Sequence, residues 1–220
     1  CYFFASILYL TCSRKQQVAS AFALLVAYWA ITAPFGYDMN SNLPGYLDRM
    51  VLDGRMYARG YDPEGLLSLM SAVPLAMFGM LSVGLFKARH SEILLFGLGL
   101  LSYFAGYLWS EWLPMNRWLW TSSFVLVMIG FALMVLAICR YLFDFKKYGF
   151  WAKPFTLLGM NALPIYFVNL VLFRVPLLSY GLSVADRFMY AFGQVGLMMA
   201  LAWVLQTVKA YASHTKTNTG

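Results

Sequence analysis

The residues able to do chemistry gather in four short stretches. Two lie within one polar segment, residues 37–65: Pro44-Gly45-Tyr46-Leu47-Asp48-Arg49 and Tyr61-Asp62-Pro63-Glu64-Gly65. A carboxylate there can hold a cationic group or accept a proton, and a guanidinium fork suits a phosphate or carboxylate. Each residue also has a plain structural reading. Asp62, Pro63 and Glu64 make a good helix start, with a side-chain cap, a proline at the first position and an acid against the positive helix end. Asp48 and Arg49 are neighbours whose side chains need not face each other, and exposed ion pairs contribute little.

The third stretch is Asn116-Arg117-Trp118-Leu119-Trp120-Thr121, where Asn116 caps a helix or uses its amide to donate and accept. The fourth, Gly159-Met160-Asn161-Ala162-Leu163-Pro164, sets an amide and a proline inside a hydrophobic run. A polar group in hydrocarbon needs a partner, which is a neighbouring helix or a bound ligand. A kink is expected near Pro164. Asn169 follows Asn161 by about two helical turns, so on a continuous helix both amides face the bundle interior. His90 and His214 fall in a short connection and a polar tail, and neither reads as catalytic. The chain lacks G-x-S-x-G, G-x-x-x-x-G-K-[ST] and H-E-x-x-H, which removes the common hydrolase, nucleotide-loop and metalloprotease readings. Cys1, Cys12 and Cys139 have no paired spacing, so they read as packing residues, with no metal site.

The elements that must position these residues are membrane helices. Of 220 residues, 61% are hydrophobic and 11% charged, with a mean hydropathy of +0.66. A water-soluble domain cannot bury that much apolar surface, whereas a bilayer accepts helices of about 20 apolar residues whose backbone bonds are internal. The runs are continuous, not alternating, which excludes a membrane barrel. The expected fold is all-α, a polytopic bundle of about seven helices over residues 1–208, the first one truncated. Spans are expected near residues 18–35, 66–86, 93–110, 120–141, 154–173 and 188–208. The opening Cys1 and the short first run read as the C-terminal portion of a larger membrane domain.

Orientation follows from the basic residues. One set of alternate connections holds ten, among them Arg14, Lys15, Lys87, Arg89, Arg140 and Lys146. The other set holds six basic residues and seven of the nine acids. The first set is therefore expected to be cytoplasmic, the 37–65 loop extracytoplasmic, and residues 209–220 a polar cytoplasmic tail. Trp109, Trp112, Trp118 and Trp120 cluster where aromatic rings favour the headgroup layer. The net charge of +7 is explained by this topology, and no nucleic-acid partner is expected, because the basic residues form no patch with interleaved aromatics.

In order and spacing, the four stretches resemble heparan-alpha-glucosaminide N-acetyltransferase and its bacterial relatives, over residues 1 to about 174. The resemblance implies a multispanning enzyme, in a bacterium of the inner membrane, that takes acetyl-CoA as co-substrate from the cytoplasmic side. It would acetylate the amine of a glucosamine-type sugar on the other side. It places the family's catalytic His upstream of Cys1, in missing N-terminal helices, so that this stretch alone would be inactive. It carries Asp48, Arg49, Asp62, Glu64, Asn116 and Asn161 over as candidates for lining the substrate and cofactor cavity, in a protein whose partners are the amino-sugar acceptor, the bilayer and a second copy as homodimer. The competing reading is an amino-sugar transporter, in which the same polar residues bind without chemistry and Pro164 marks a broken helix.

Overall fold

The computed structural model describes residues 1–38, 41–52, 65–173 and 184–217. It is an all-α polytopic bundle, with five helical stretches long and apolar enough to cross a membrane among the described residues. Two compact units divide the chain, Cys1–Phe145 and Lys146–Gly220.

The first unit contains α1 (Tyr2–Thr11), α2 (Arg14–Thr32), α3 (Leu43–Leu52), α4 (Ser68–Leu85), α5 (Ser91–Trp109) and α6 (Ser122–Arg140). A short corner separates α1 from α2. There the Ser13 N–H donates to Gln16 Oε1 at 2.8 Å, and buried Gln17 donates to the carbonyls of Tyr9 and Cys12 at 2.6 and 2.8 Å. These bonds use carbonyls that the end of α1 leaves without helical partners. The helices then pack through two apolar clusters. Ala5, Ala21, Val73 and Met77 join α1, α2 and α4, while Leu25, Val125, Leu126 and Ile129 join α2 to α6.

The tightest seam lies between α5 and α6. Gly99 and Gly106, seven residues apart on one face of α5, meet α6 backbone, and Gly130 of α6 meets α5. A Cβ on Gly130 would stand 2.5 Å from the Tyr103 nitrogen, and one on Gly106 would stand 2.8 Å from the Ser123 carbonyl oxygen. Lipid tails are as apolar as leucine, so helix pairs in a membrane gain from close backbone approach and interhelical hydrogen bonds. Ser102 of α5 supplies such a bond, donating to the Leu126 carbonyl at 2.8 Å.

At one end of this unit Arg140 fastens the α4–α5 connection. It donates to Ser91 Oγ at 2.7 Å and the Phe86 carbonyl at 2.8 Å, lies over the Phe86 ring, and pairs with Asp144 at 3.4 Å. Asp144 belongs to a wider, π-type turn, Tyr141–Phe145, that continues α6.

The second unit contains α7 (Gly149–Met160), α8 (Ala162–Phe173) and α9 (Val184–Thr217), with α7 and α8 both against α9. Here the sequence expectation is corrected. No single span runs from 154 to 173. Two helices of twelve residues each take its place, at roughly 18 Å apiece too short to cross a 30 Å core. The interruption lies at Asn161, three residues before Pro164. Pro164 has no N–H for the Met160 carbonyl, so the helix ends before it, and the proline becomes part of the first turn of α8, where it costs little. The argument that Asn161 and Asn169 share a face assumed one continuous helix, and the break removes it. The polar segment from Lys209, read as a tail, continues α9 as helix to Thr217.

Candidate functional site

Helix α3 occupies part of what the sequence reads as the 37–65 loop. Asn42 starts it. Its side-chain oxygen accepts the Gly45 N–H at 2.7 Å, its amide donates to the Asp38 carbonyl at 2.7 Å, and Pro44 follows in the first turn. The Asn-x-Pro spacing is a capping signal that the loop reading passed over.

This helix separates Asp48 from Arg49. Asp48 is buried at 1% exposure, while Arg49 is half-buried on the neighbouring position. The Asp48 carboxylate reaches the segment leading into α4, where Oδ1 accepts the Leu66 N–H at 3.0 Å. Gly65 makes that approach possible, because a Cβ there would collide with the carboxylate. Ser68 then donates to the Gly65 carbonyl at 2.7 Å and closes the turn. A glycine and an aspartate seventeen positions apart are thus fitted to each other.

Asn116 shapes a different loop at the same end of the unit. Its side-chain oxygen accepts the N–H groups of Trp118 and Leu119 at 2.9 and 3.3 Å, and Thr121 Oγ1 accepts the Asn116 N–H at 2.9 Å. Trp120 adopts a left-handed conformation, φ 50°, within this closed turn. Its ring packs on the Leu25–Val125 cluster. Tyr28 of α2 fastens the Asn116 loop to the bundle. The fully buried Tyr28 donates its hydroxyl to the Leu119 carbonyl and lies within electrostatic reach of Tyr37 and Asp48. The Tyr37 hydroxyl is buried and has no hydrogen-bond partner among the described residues. Sequence reading singled out neither tyrosine. Tyr37 carried one usable signal, as the first polar residue after the α2 span.

Elsewhere in the same unit an open groove of about 610 Å³ is lined by Trp29, Trp109 and Trp112 together with Ala105, Leu108 and Leu126. Trp29 and Trp109 meet edge to face at 5.7 Å between ring centres. The indole faces give this groove an apolar surface that suits the ring face of a ligand.

Asn161 belongs to the second unit and is 1% exposed. Its amide nitrogen lies 3.1 Å from the Leu157 carbonyl, 3.4 Å from the Ala202 carbonyl and 3.4 Å from Gln206 Oε1. Its own carbonyl accepts the Ile165 N–H at 3.1 Å, so it ends α7, opens α8 and binds α9. Asp62 and Glu64 lie outside the described residues.

No family model matches the chain. It is similar to heparan-alpha-glucosaminide N-acetyltransferase of Homo sapiens, 30% identical over 146 residues, a match covering 56% of this chain and 22% of the human protein. The Mus musculus protein of the same name matches with the same identity and coverage. The matched share of this chain is smaller than the stretch up to residue 174 over which the motifs resemble that family. The chain spans about a fifth of the length of the curated relatives it matches, and by sequence it is similar to that part of an N-acetyltransferase.

Proposed function

We propose that this chain is part of a membrane acetyltransferase that moves an acetyl group from acetyl-CoA to the amine of a glucosamine-type sugar. The single observation that supports the reading is the buried Asp48 carboxylate, which accepts the Leu66 N–H against Gly65 within a motif resembling that of the acetyltransferases. In the reaction the sugar nitrogen attacks the thioester carbonyl, the C–S bond breaks, coenzyme A leaves as the thiol and the amine loses a proton. Asp48 and Tyr37 position the acceptor, and Arg49, Asp62 and Glu64, from the same polar segment of the sequence, are further candidates for that role. The proton is taken by a histidine that the resemblance puts upstream of Cys1, since an imidazole near neutral pKa suits that task. The Asp48 end is extracytoplasmic and the Arg14 end cytoplasmic, as the distribution of basic residues indicates.

Asp48→Asn in the intact protein tests this. An asparagine oxygen can still accept the Leu66 N–H, so folding is kept while the charge is lost. Acetyl transfer from labelled acetyl-CoA to glucosamine is expected to fall at least about tenfold, the scale on which a charged hydrogen bond to substrate acts. Transfer at the parent rate would end the assignment.

The helix break at Asn161 favours a second reading, an amino-sugar carrier, since discontinuous helices line solute sites in transporters. Sugar counterflow into liposomes without acetyl-CoA, together with no acetyl transfer, would select it.

A further inference from the structure

A second groove, of about 670 Å³, lies wholly within the first unit and has a different character from the tryptophan-lined one. Its sides come from α2, α4 and α5, and Leu126, Ile129 and Leu133 of α6 contribute to the lining. It reaches from Arg14 and Leu85, where α2 begins and α4 ends, to Ala105 and Leu126. Its lining runs eight residues along α2, from Arg14 to Phe22, and seven along each of α4, α5 and α6, at 1.5 Å per residue roughly 10–12 Å of helix.

The two hydroxyls in its walls are spent on backbone. Ser82 donates to the Gly79 carbonyl at 2.7 Å and Ser102 to the Leu126 carbonyl at 2.8 Å. The wall is therefore apolar to a ligand, and the remaining polar feature is the Arg14 guanidinium at the mouth. Gly84 gives that group its seat, since a Cβ there would stand 2.6 Å from an Arg14 nitrogen. Among the described residues the guanidinium makes a single long bond, 3.4 Å to the Leu81 carbonyl, and pairs with no carboxylate. Of its five N–H donors, most are unspent. Lys15, Lys87 and Arg89 are exposed at the same end, while the acids there, Glu92 and Asp144, already face His90 at 3.8 Å and Arg140 at 3.4 Å.

We propose that this groove binds one acyl chain of an anionic membrane phospholipid, with the lipid phosphate on Arg14. The charge complementarity selects the occupant. An apolar slot open to the bilayer accepts any acyl chain, but an unpaired guanidinium at headgroup depth favours a net negative headgroup over a zwitterionic one. Basic sites at this depth gain on the order of 1 kcal/mol per cationic side chain from anionic lipid, a factor of about five. The inference stands apart from the acetyltransferase reading.

The test is native mass spectrometry of the intact protein after equilibration with micelles holding equal phosphatidylglycerol and phosphatidylcholine. The protein should retain the anionic lipid in about fivefold excess. Arg14→Gln should bring the ratio near one, Leu98→Trp should reduce the retained lipid by filling the slot, and Arg117→Gln at the opposite end should change nothing. If Arg14→Gln does not fold, Leu98→Trp decides alone. Equal retention of the two lipids by the parent would overturn the proposal. So would an unchanged ratio in Arg14→Gln, lipid retention unaffected by Leu98→Trp, or disulfide-linked dimers through Leu101→Cys, which would mean that a second copy covers the groove.

Discussion

The α5–α6 seam and the α7–α8 break solve the same membrane problem in opposite ways. At the seam, glycines bring two helix backbones into contact, and the pair is held by shape. At the break, a proline removes a backbone bond, and the side-chain amide of Asn161 ties the interrupted chain to α9. The first device leaves no room for an added atom, while the second depends on polar partners and tolerates changes of size. The clamp between Asp48 and Gly65 combines them, being a hydrogen bond that exists because a glycine lets the carboxylate in.

The seam should be the most sensitive of the three. Gly130→Leu forces side-chain atoms into the Tyr103 backbone and should cost about 3 kcal/mol or more, read as a large drop in thermal unfolding midpoint in detergent. Near-parent stability would mean that α5 and α6 are not in backbone contact. At the clamp, Gly65→Ala should displace the Asp48 carboxylate and leave the Leu66 N–H without an acceptor, a loss of about 1–3 kcal/mol. The same midpoint measurement checks it, and an Asp48→Ala, Gly65→Ala double variant should lose less than the two single losses added, because both remove one interaction. The smallest effect belongs to the break. Asn161→Ala should cost about 1 kcal/mol, the scale of an interhelical hydrogen bond in a membrane, with α7 still ending before Pro164. A loss as large as that of Gly130→Leu would erase the distinction between shape and polar tether.

Much of this was legible in the chain. Continuous apolar runs can satisfy their backbone only as helices in lipid, so the fold class follows from composition and run length. The four polar stretches stood out because polar groups are rare there. Sequence left Asp48 and Arg49 undecided between a solvated pair and inward-facing groups, since facing depends on whether the segment is helical. Local capping by Asn42 made it so, and that buried one residue while leaving its neighbour half-exposed. Sequence also named Pro164 as a breaker and expected a kink near it, and the structure puts the break at Asn161, next to the Met160 carbonyl that loses its bond.

What the sequence by itself determined is the solvent this protein folds in and the short list of residues that cost free energy to place there. What only the tertiary structure decided is which of those residues meet. Asp48 finds Gly65, Tyr28 finds Leu119, Arg14 finds Gly84 and Asn161 finds Gln206, over separations of 17, 91, 70 and 45 positions. Helical periodicity reaches only three or four residues along the chain, whereas such pairings are set by how whole helices pack, and that is a property of surfaces rather than of any local pattern.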